Sequence, residues 1–231
     1  GHVIFAGNPG TGKTEAGKLF AEACYSLGIV RTNRFCQYGA EDLISEFMGQ
    51  TRIKAKSAFQ RGVDGVILID EAYNLSYNDR DSNADYKREA VDILLRFSNE
   101  QVGKTIIILA GYEDKIKVFL QSNKGLGGRF SNTIFFDDFS ADECFQILEK
   151  EFKKSGLKLS ENLQPAVCKL FDDCICNRRN WGNARDVKSI CKYINQSHVN
   201  RVVGLEEYDN IITLDDINTG FEGWTAGNIS G

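Results

Sequence analysis

Short apolar runs alternate along this chain with stretches whose apolar residues recur every three or four positions. Val3–Ala6 is the first run, and it ends in a glycine-rich loop. Behind it, Ala16, Leu19, Phe20, Ala23 and Leu27 fall at helical spacing. Arg34–Gln37 predicts a second strand, followed by helices over Glu41–Phe47 and Arg52–Gln60. Val66–Ile69 and Ile106–Ala110 are uninterrupted apolar runs bounded by polar residues or glycine, as in strands covered by helices on both faces. A helix is expected near Glu89–Phe97, after a mixed-charge run over Asp79–Arg88 that reads as an exposed loop, and Thr133–Phe136 predicts a fifth strand. Such alternation predicts an α/β fold with a five-stranded parallel sheet between helices, over residues 1–138.

From Ser140 the pattern changes to helices alone. Ser140-Ala-Asp-Glu143 is a capping-box signature, and Cys144, Ile147, Leu148 and Phe152 then share one face. Ser160 is the expected cap of a second helix with the stripe Val167, Leu170, Phe171 and Cys174. A third carries Val187, Ile190, Cys191 and Ile194, and Thr213–Ile217 starts a fourth. The expectation is an all-helical domain over residues 139–222 and a tail over 223–231.

Composition narrows the class without choosing a chemistry. The 231 residues are 42% hydrophobic and 26% charged, ordinary for a globular chain. No apolar run approaches the ~20 residues of a membrane helix, and within this sequence no stretch is expected to act as a secretory signal or transit peptide. A net charge of −4 gives no general attraction to nucleic acid or anionic lipid, and Arg178-Arg179 is too short for a nucleic-acid patch. Most of the seven cysteines fall on apolar helix or strand positions, which reads as reduced thiols in the cytoplasm or another reducing compartment, nucleus and plastid included. A zinc site from Cys168, Cys174, Cys176 and His198 is the alternative, although no Cys-x-x-Cys pair is present. His2 and His198 stand at opposite ends of the chain, so packing or solvated roles are expected of them.

Two motifs bring specific chemistry. Gly7-Asn8-Pro9-Gly10-Thr11-Gly12-Lys13-Thr14 fills every position of the phosphate-loop pattern G-x-x-x-x-G-K-[ST], between a strand and an amphipathic helix. Glycines let backbone N–H groups approach phosphate oxygens, and the helix N-terminus adds positive potential. Lys13 is expected on the β- and γ-phosphates of ATP, and the Thr14 hydroxyl on Mg2+. Val66–Ile69 then ends in Asp70-Glu71. Asp70, leaving a parallel strand at its C-terminal end, is expected to hold the magnesium shell, and Glu71 to act as the base that prepares water.

With Gly7–Thr14, Ile69-Asp-Glu-Ala-Tyr73, Ile108-Leu-Ala-Gly-Tyr112 and Gly182-Asn-Ala-Arg185 read together, the chain resembles the AAA+ ATPases over nearly all its length. The likeness is nearest to the group of the red-type rubisco activase CbbX and the sporulation protein SpoVK. It implies a P-loop NTPase domain followed by a helical lid, a hexameric ring of identical or mixed subunits, and ATP hydrolysis that pulls or remodels a protein partner. Arg129, in Gly127-Gly-Arg-Phe130, matches the arginine finger that reaches a neighbouring protomer's γ-phosphate. Arg185 matches the second sensor, which contacts nucleotide from the lid. Phe47-Met48-Gly49 corresponds to the pore loop that grips a substrate chain, with burial in the core as the rival reading. At the first sensor, where a polar Asn or Thr is usual, the chain has Gly111-Tyr112, and Tyr112 takes the matching place. A nucleotide-dependent scaffold with little hydrolysis and a nucleic-acid remodeller remain the alternative functions.

Overall fold

The computed structural model describes residues 1–45, 50–77, 83–177, 180–204 and 209–227. The expected pore loop Phe47, Met48 and Gly49 lies outside them, as do Arg178-Arg179 and residues 79–82 of the charged run. Two compact units divide the chain: Gly1–Asn8 with Gly12–Asp137, and Pro9–Thr11 with the residues from Asp138 onward.

In the first unit, β1 (Val3–Gly7), β2 (Phe35–Tyr38), β3 (Val66–Ile69), β4 (Ile106–Gly111) and β5 (Asn132–Phe136) form one parallel sheet in the order β2-β3-β4-β1-β5. The central strands are buried on both faces, which explains their unbroken apolar runs. Val3, Phe5, Val66, Leu68, Ile108 and Ala110 pack with α1 (Lys13–Ser26) through Ala21 and Cys24. Ile4, Ala6, Ile67, Ile69, Ile107 and Leu109 pack with α2 (Gln50–Arg61), α3 (Ala84–Glu100) and α4 (Glu113–Ser122) through Phe59, Leu94 and Phe119. Strand pairing stacks the elements so that every strand's C-terminal end emerges on one edge.

Several expectations are corrected here. The helix expected over Glu41–Phe47 is a turn over 41–43 followed by irregular chain to Ser45. Lys54 holds this segment by donating to Glu41 O at 2.6 Å and Ile44 O at 2.8 Å. A cation on carbonyls that would otherwise enter a helix ladder favours the turn. Residues 84–88, read as part of a loop, are already helical in α3. A short helix, α5 (Lys124–Gly127), also precedes β5.

The second unit holds α6 (Ala141–Lys154), α7 (Gln164–Asn177), α8 (Ala184–Val202) and α9 (Leu214–Gly227). The Ser140–Glu143 capping box is formed: Glu143 N–H donates to Ser140 Oγ at 3.3 Å, and Ser140 N–H to Glu143 Oε2 at 2.8 Å. To the helices is added a two-residue parallel ladder, β6 (Lys158–Leu159) with β7 (Ile211–Ile212), too short to leave a periodic signal. Ser160 is therefore not a helix cap; its N–H continues that ladder to Ile212 O at 3.0 Å, and α7 starts four residues later. Residues 223–227 are not a tail, because α9 runs to Gly227 with Trp224 buried against Trp181, centroids 6.1 Å apart. His198 lies in this unit's interior, its Nδ1 3.1 Å from Arg201 Nη2, and Arg201 Nε bonds buried Asp216 at 3.0 Å. Among the described residues no three His, Cys, Asp or Glu side chains gather as a metal-ligand set, so the zinc alternative finds no site there. Nor is any described helix long and apolar enough to cross a membrane.

Candidate active site

β1 delivers the loop Gly7–Thr14 to the C-terminal edge of the sheet, and Lys13 and Thr14 open α1. The first N–H groups of a helix lack intrahelical partners, so this end is an anion site by construction. Lys13 Nζ donates to Gly7 O at 2.8 Å and Asn8 O at 2.6 Å, keeping the ammonium on its own loop. Beyond Asn8, the tip formed by Pro9, Gly10 and Thr11 packs within the second unit, and Gly12 then leads into α1. Gly10 has φ +76°, and a Cβ there would lie 2.0 Å from Gly182 O, so no other residue fits.

Asp70 and Glu71 follow β3 at the same edge. β4 alone separates β3 from β1, which puts the acidic pair two strands, about 10 Å, from the phosphate loop. Asp70 is half-buried, and its Oδ1 accepts from Glu71 N–H at 3.0 Å. Glu71 is exposed and takes a left-handed backbone, φ 47° and ψ 41°, a conformation that costs on the order of 1 kcal/mol or more for a residue with a side chain. Both carboxylates line a cleft of about 370 Å³ with Gln37, Gly39, Glu41 and Asp42.

Two neighbours of Glu71 were not legible as site residues. Asn74 Nδ2 donates to Glu71 Oε2 at 3.1 Å from the short 3-10 turn Ala72–Leu75. The Tyr73 hydroxyl is pushed up to about 12, first by burial and then by the negative charge of Glu71, so it stays protonated beside that carboxylate. Tyr73 also explains the departure at the first sensor. Its ring lies on the end of β4, where a Cβ on Gly111 would come within 2.7 Å of Tyr73 Cδ1. Tyr112 follows β4, between the acidic pair and the phosphate loop in strand order. Its ring sits 5.9 Å from that of Tyr73, and Lys115 Nζ stands 4.7 Å from both centroids.

Arg129 is elsewhere. It precedes β5, whose Asn132 is level with Val3, so it stands at the N-terminal edge, on the far side of the sheet from the phosphate loop. Five residues of β1 separate the edges by about 17 Å, more than one arginine side chain spans. Arg129 Nε donates to Asn99 Oδ1 at 2.6 Å, and its Nη1 donates to Gly125 O. Beside it, His2 is buried between Ser98 O, 3.0 Å from its Nε2, and Ile107 N–H, which donates to Nδ1 at 3.1 Å. Arg185 lies in the first turn of α8, in the second unit, and is exposed.

The model of the ATPase family associated with various cellular activities (AAA) matches residues 3–138, and that of an AAA lid domain matches residues 140–224. A protein named CfxQ homolog from Galdieria sulphuraria is 31% identical over 218 residues, 94% of this chain and 70% of the relative. Protein CbbX from Cereibacter sphaeroides is 32% identical over 201 residues, 87% of this chain and 64% of the relative. A chloroplastic ribulose bisphosphate carboxylase/oxygenase activase from Cyanidioschyzon merolae is 32% identical over 204 residues, 87% and 68% of the two chains. With both family models placed end to end on the sheet and the helical unit, the chain belongs to the AAA+ ATPases, within their CbbX-like group.

Proposed function

We propose that this chain binds Mg·ATP at the C-terminal edge of its sheet and hydrolyses it in a ring of copies, where the energy remodels or threads a protein substrate. The observation that carries the reading is the meeting of Lys13, Thr14, Asp70 and Glu71 at one edge while Arg129 stands at the other. The donor set fits the cofactor: a threonine hydroxyl and a carboxylate are hard oxygen ligands of the kind magnesium takes. Loop amides and Lys13 would bind the phosphates, and Thr14 with Asp70 would hold a magnesium ion whose charge would offset that of the transferring group. Glu71 orients and deprotonates water, and Asn74 fixes where its carboxylate points.

Arg129 completes the site of a neighbouring copy. Its guanidinium supplies fixed positive charge where the leaving phosphate gains negative charge, and it does so only on assembly. Arg185 acts as the nucleotide sensor of the lid, and Tyr112 stands in the place of the first sensor. The relatives named as activases support a protein as the substrate, and Phe47-Met48-Gly49 is the segment we assign to gripping it. The described flanks suit a loop with fixed ends: Ser45 N–H donates to Thr51 Oγ1 at 2.9 Å, and that hydroxyl donates to Ser45 O at 3.1 Å.

The test is steady-state phosphate release in Mg·ATP as a function of protein concentration. Specific activity is expected to rise as copies assemble. Negligible release at every concentration overturns the hydrolase reading in favour of a scaffold, and stimulation by DNA or RNA but by no protein overturns the substrate class.

A further inference from the structure

The motif Gly182-Asn-Ala-Arg185 contains a residue whose backbone and side chain disagree. Asn183 has φ 53° and ψ −131°, and Arg185 N–H bonds back to Gly182 O at 3.0 Å. That is the geometry of a type II′ turn with Asn183 in the position that glycine prefers. Nor does Asn183 cap α8, since its side chain accepts nothing from that helix. The side chain, wholly buried, has other partners. Its Oδ1 accepts from Phe139 N–H at 2.9 Å, and its Nδ2 donates to Asp138 Oδ1 at 2.7 Å and to Pro9 O at 3.2 Å. One acceptor and two donors in that fork are what a carboxamide provides; an aspartate has no donor, and a serine or threonine has one.

The bond to Pro9 matters because of what it does to the phosphate loop. A trans peptide points its C=O and its N–H in opposite directions. Holding Pro9 O toward Asn183 therefore turns the N–H of Gly10 the other way. Ala184 N–H holds Gly10 O at 3.2 Å, which turns the N–H of Thr11 in the same manner. The turn at Gly182 also packs too closely on Gly10 for any side chain between them.

We infer that Asn183 is a positioning residue for nucleotide: its carboxamide sets the amides of Gly10 and Thr11 to receive phosphate oxygens. The same turn carries Arg185, so phosphate at the loop tip and the placement of Arg185 are linked through Asn183. Trp181, packed on Phe171 and Trp224, anchors the turn in the interior of its own unit. This inference rests on the ATP-binding reading and deepens it.

The decisive variant is Asn183→Gly, which gives the backbone the residue it prefers and removes only the carboxamide. It is expected to melt no lower than the unmutated protein, yet to bind Mg·ATP at least tenfold more weakly. The change in intrinsic emission on adding Mg·ATP is expected to vanish, both tryptophans of the chain, Trp181 and Trp224, lying in this unit. Should Asn183→Gly not fold, Asn183→Asp decides, because it keeps the acceptor for Phe139 and loses both donors. Its affinity is expected to fall likewise. A stable variant of either kind with unmutated affinity overturns the assignment. Lys13→Ala is measured alongside: if the unmutated protein binds Mg·ATP no better than Lys13→Ala, the ATP-binding reading fails, and otherwise only the role of Asn183 is at stake.

Discussion

The two edges of the parallel sheet are built for opposite purposes. At the C-terminal edge, Lys13, Thr14, Asp70 and Glu71 come from the ends of β1 and β3, and the bonds of Lys13, Asp70 and Glu71 run to groups near them in sequence. At the N-terminal edge, the polar groups are consumed. His2 bonds Ser98 and Ile107 at once, and Arg129 is held by Asn99 and Gly125. If the proposed function holds, the difference teaches that one copy carries a site short of one cation, with Arg129 the cation that a neighbouring copy's site lacks. On the proposed reading the missing pair forms between copies.

Substitutions break that comparison one edge at a time. Lys13→Ala should reach furthest, removing turnover together with binding and weakening Mg·ATP by ~100-fold or more, about 3 kcal/mol; titration with a fluorescent nucleotide measures it. Arg129→Ala should lower turnover by roughly 10³-fold while nucleotide affinity stays unchanged, the signature of an arginine that acts only in the transition state. Glu71→Gln should lower turnover by roughly 10²- to 10³-fold with binding kept, and single-turnover phosphate release separates that loss from slow product release. Equal turnover in Glu71→Gln and the unmutated protein would remove Glu71 as the base.

The smallest effect belongs to the N-terminal edge. Burial holds His2 below its ordinary 6.5, against the Ser98 carbonyl that favours the proton and with Arg129 nearby disfavouring it. The neutral ring is the one that fits, because a protonated Nδ1 cannot accept from Ile107 N–H. A lowered folded value means this contribution is complete above pH 6.5 and is lost as pH falls from there through the folded value. Thermal melts should show that decline, and His2→Gln should flatten it.

The C-terminal edge was legible in the sequence because its chemistry depends on contiguous residues: an octapeptide between a strand and a helix, and two carboxylates after an apolar run. The order of the strands was not, since nothing in Val3–Gly7 states that it lies between β4 and β5. Arg129 was singled out by resemblance alone, while its position opposite the loop depends on register. Asn74, Tyr73 and Asn183 went unread for one reason. Each acts through a partner that a turn or the fold brings to it, and an asparagine before a helix suggests an N-cap rather than the fork Asn183 makes. The failed helix over Glu41–Phe47 has a similar cause, with Lys54 holding its carbonyls from another element.

Mixing two defective proteins tests the division of labour most directly. Lys13→Ala retains the arginine and lacks the pocket; Arg129→Ala retains the pocket and lacks the arginine. Each alone should release almost no phosphate, and a mixture should regain activity that rises with total concentration. A mixture no more active than the sum of its parts, or an Arg129→Ala protein that turns over ATP at the unmutated rate, would contradict the account.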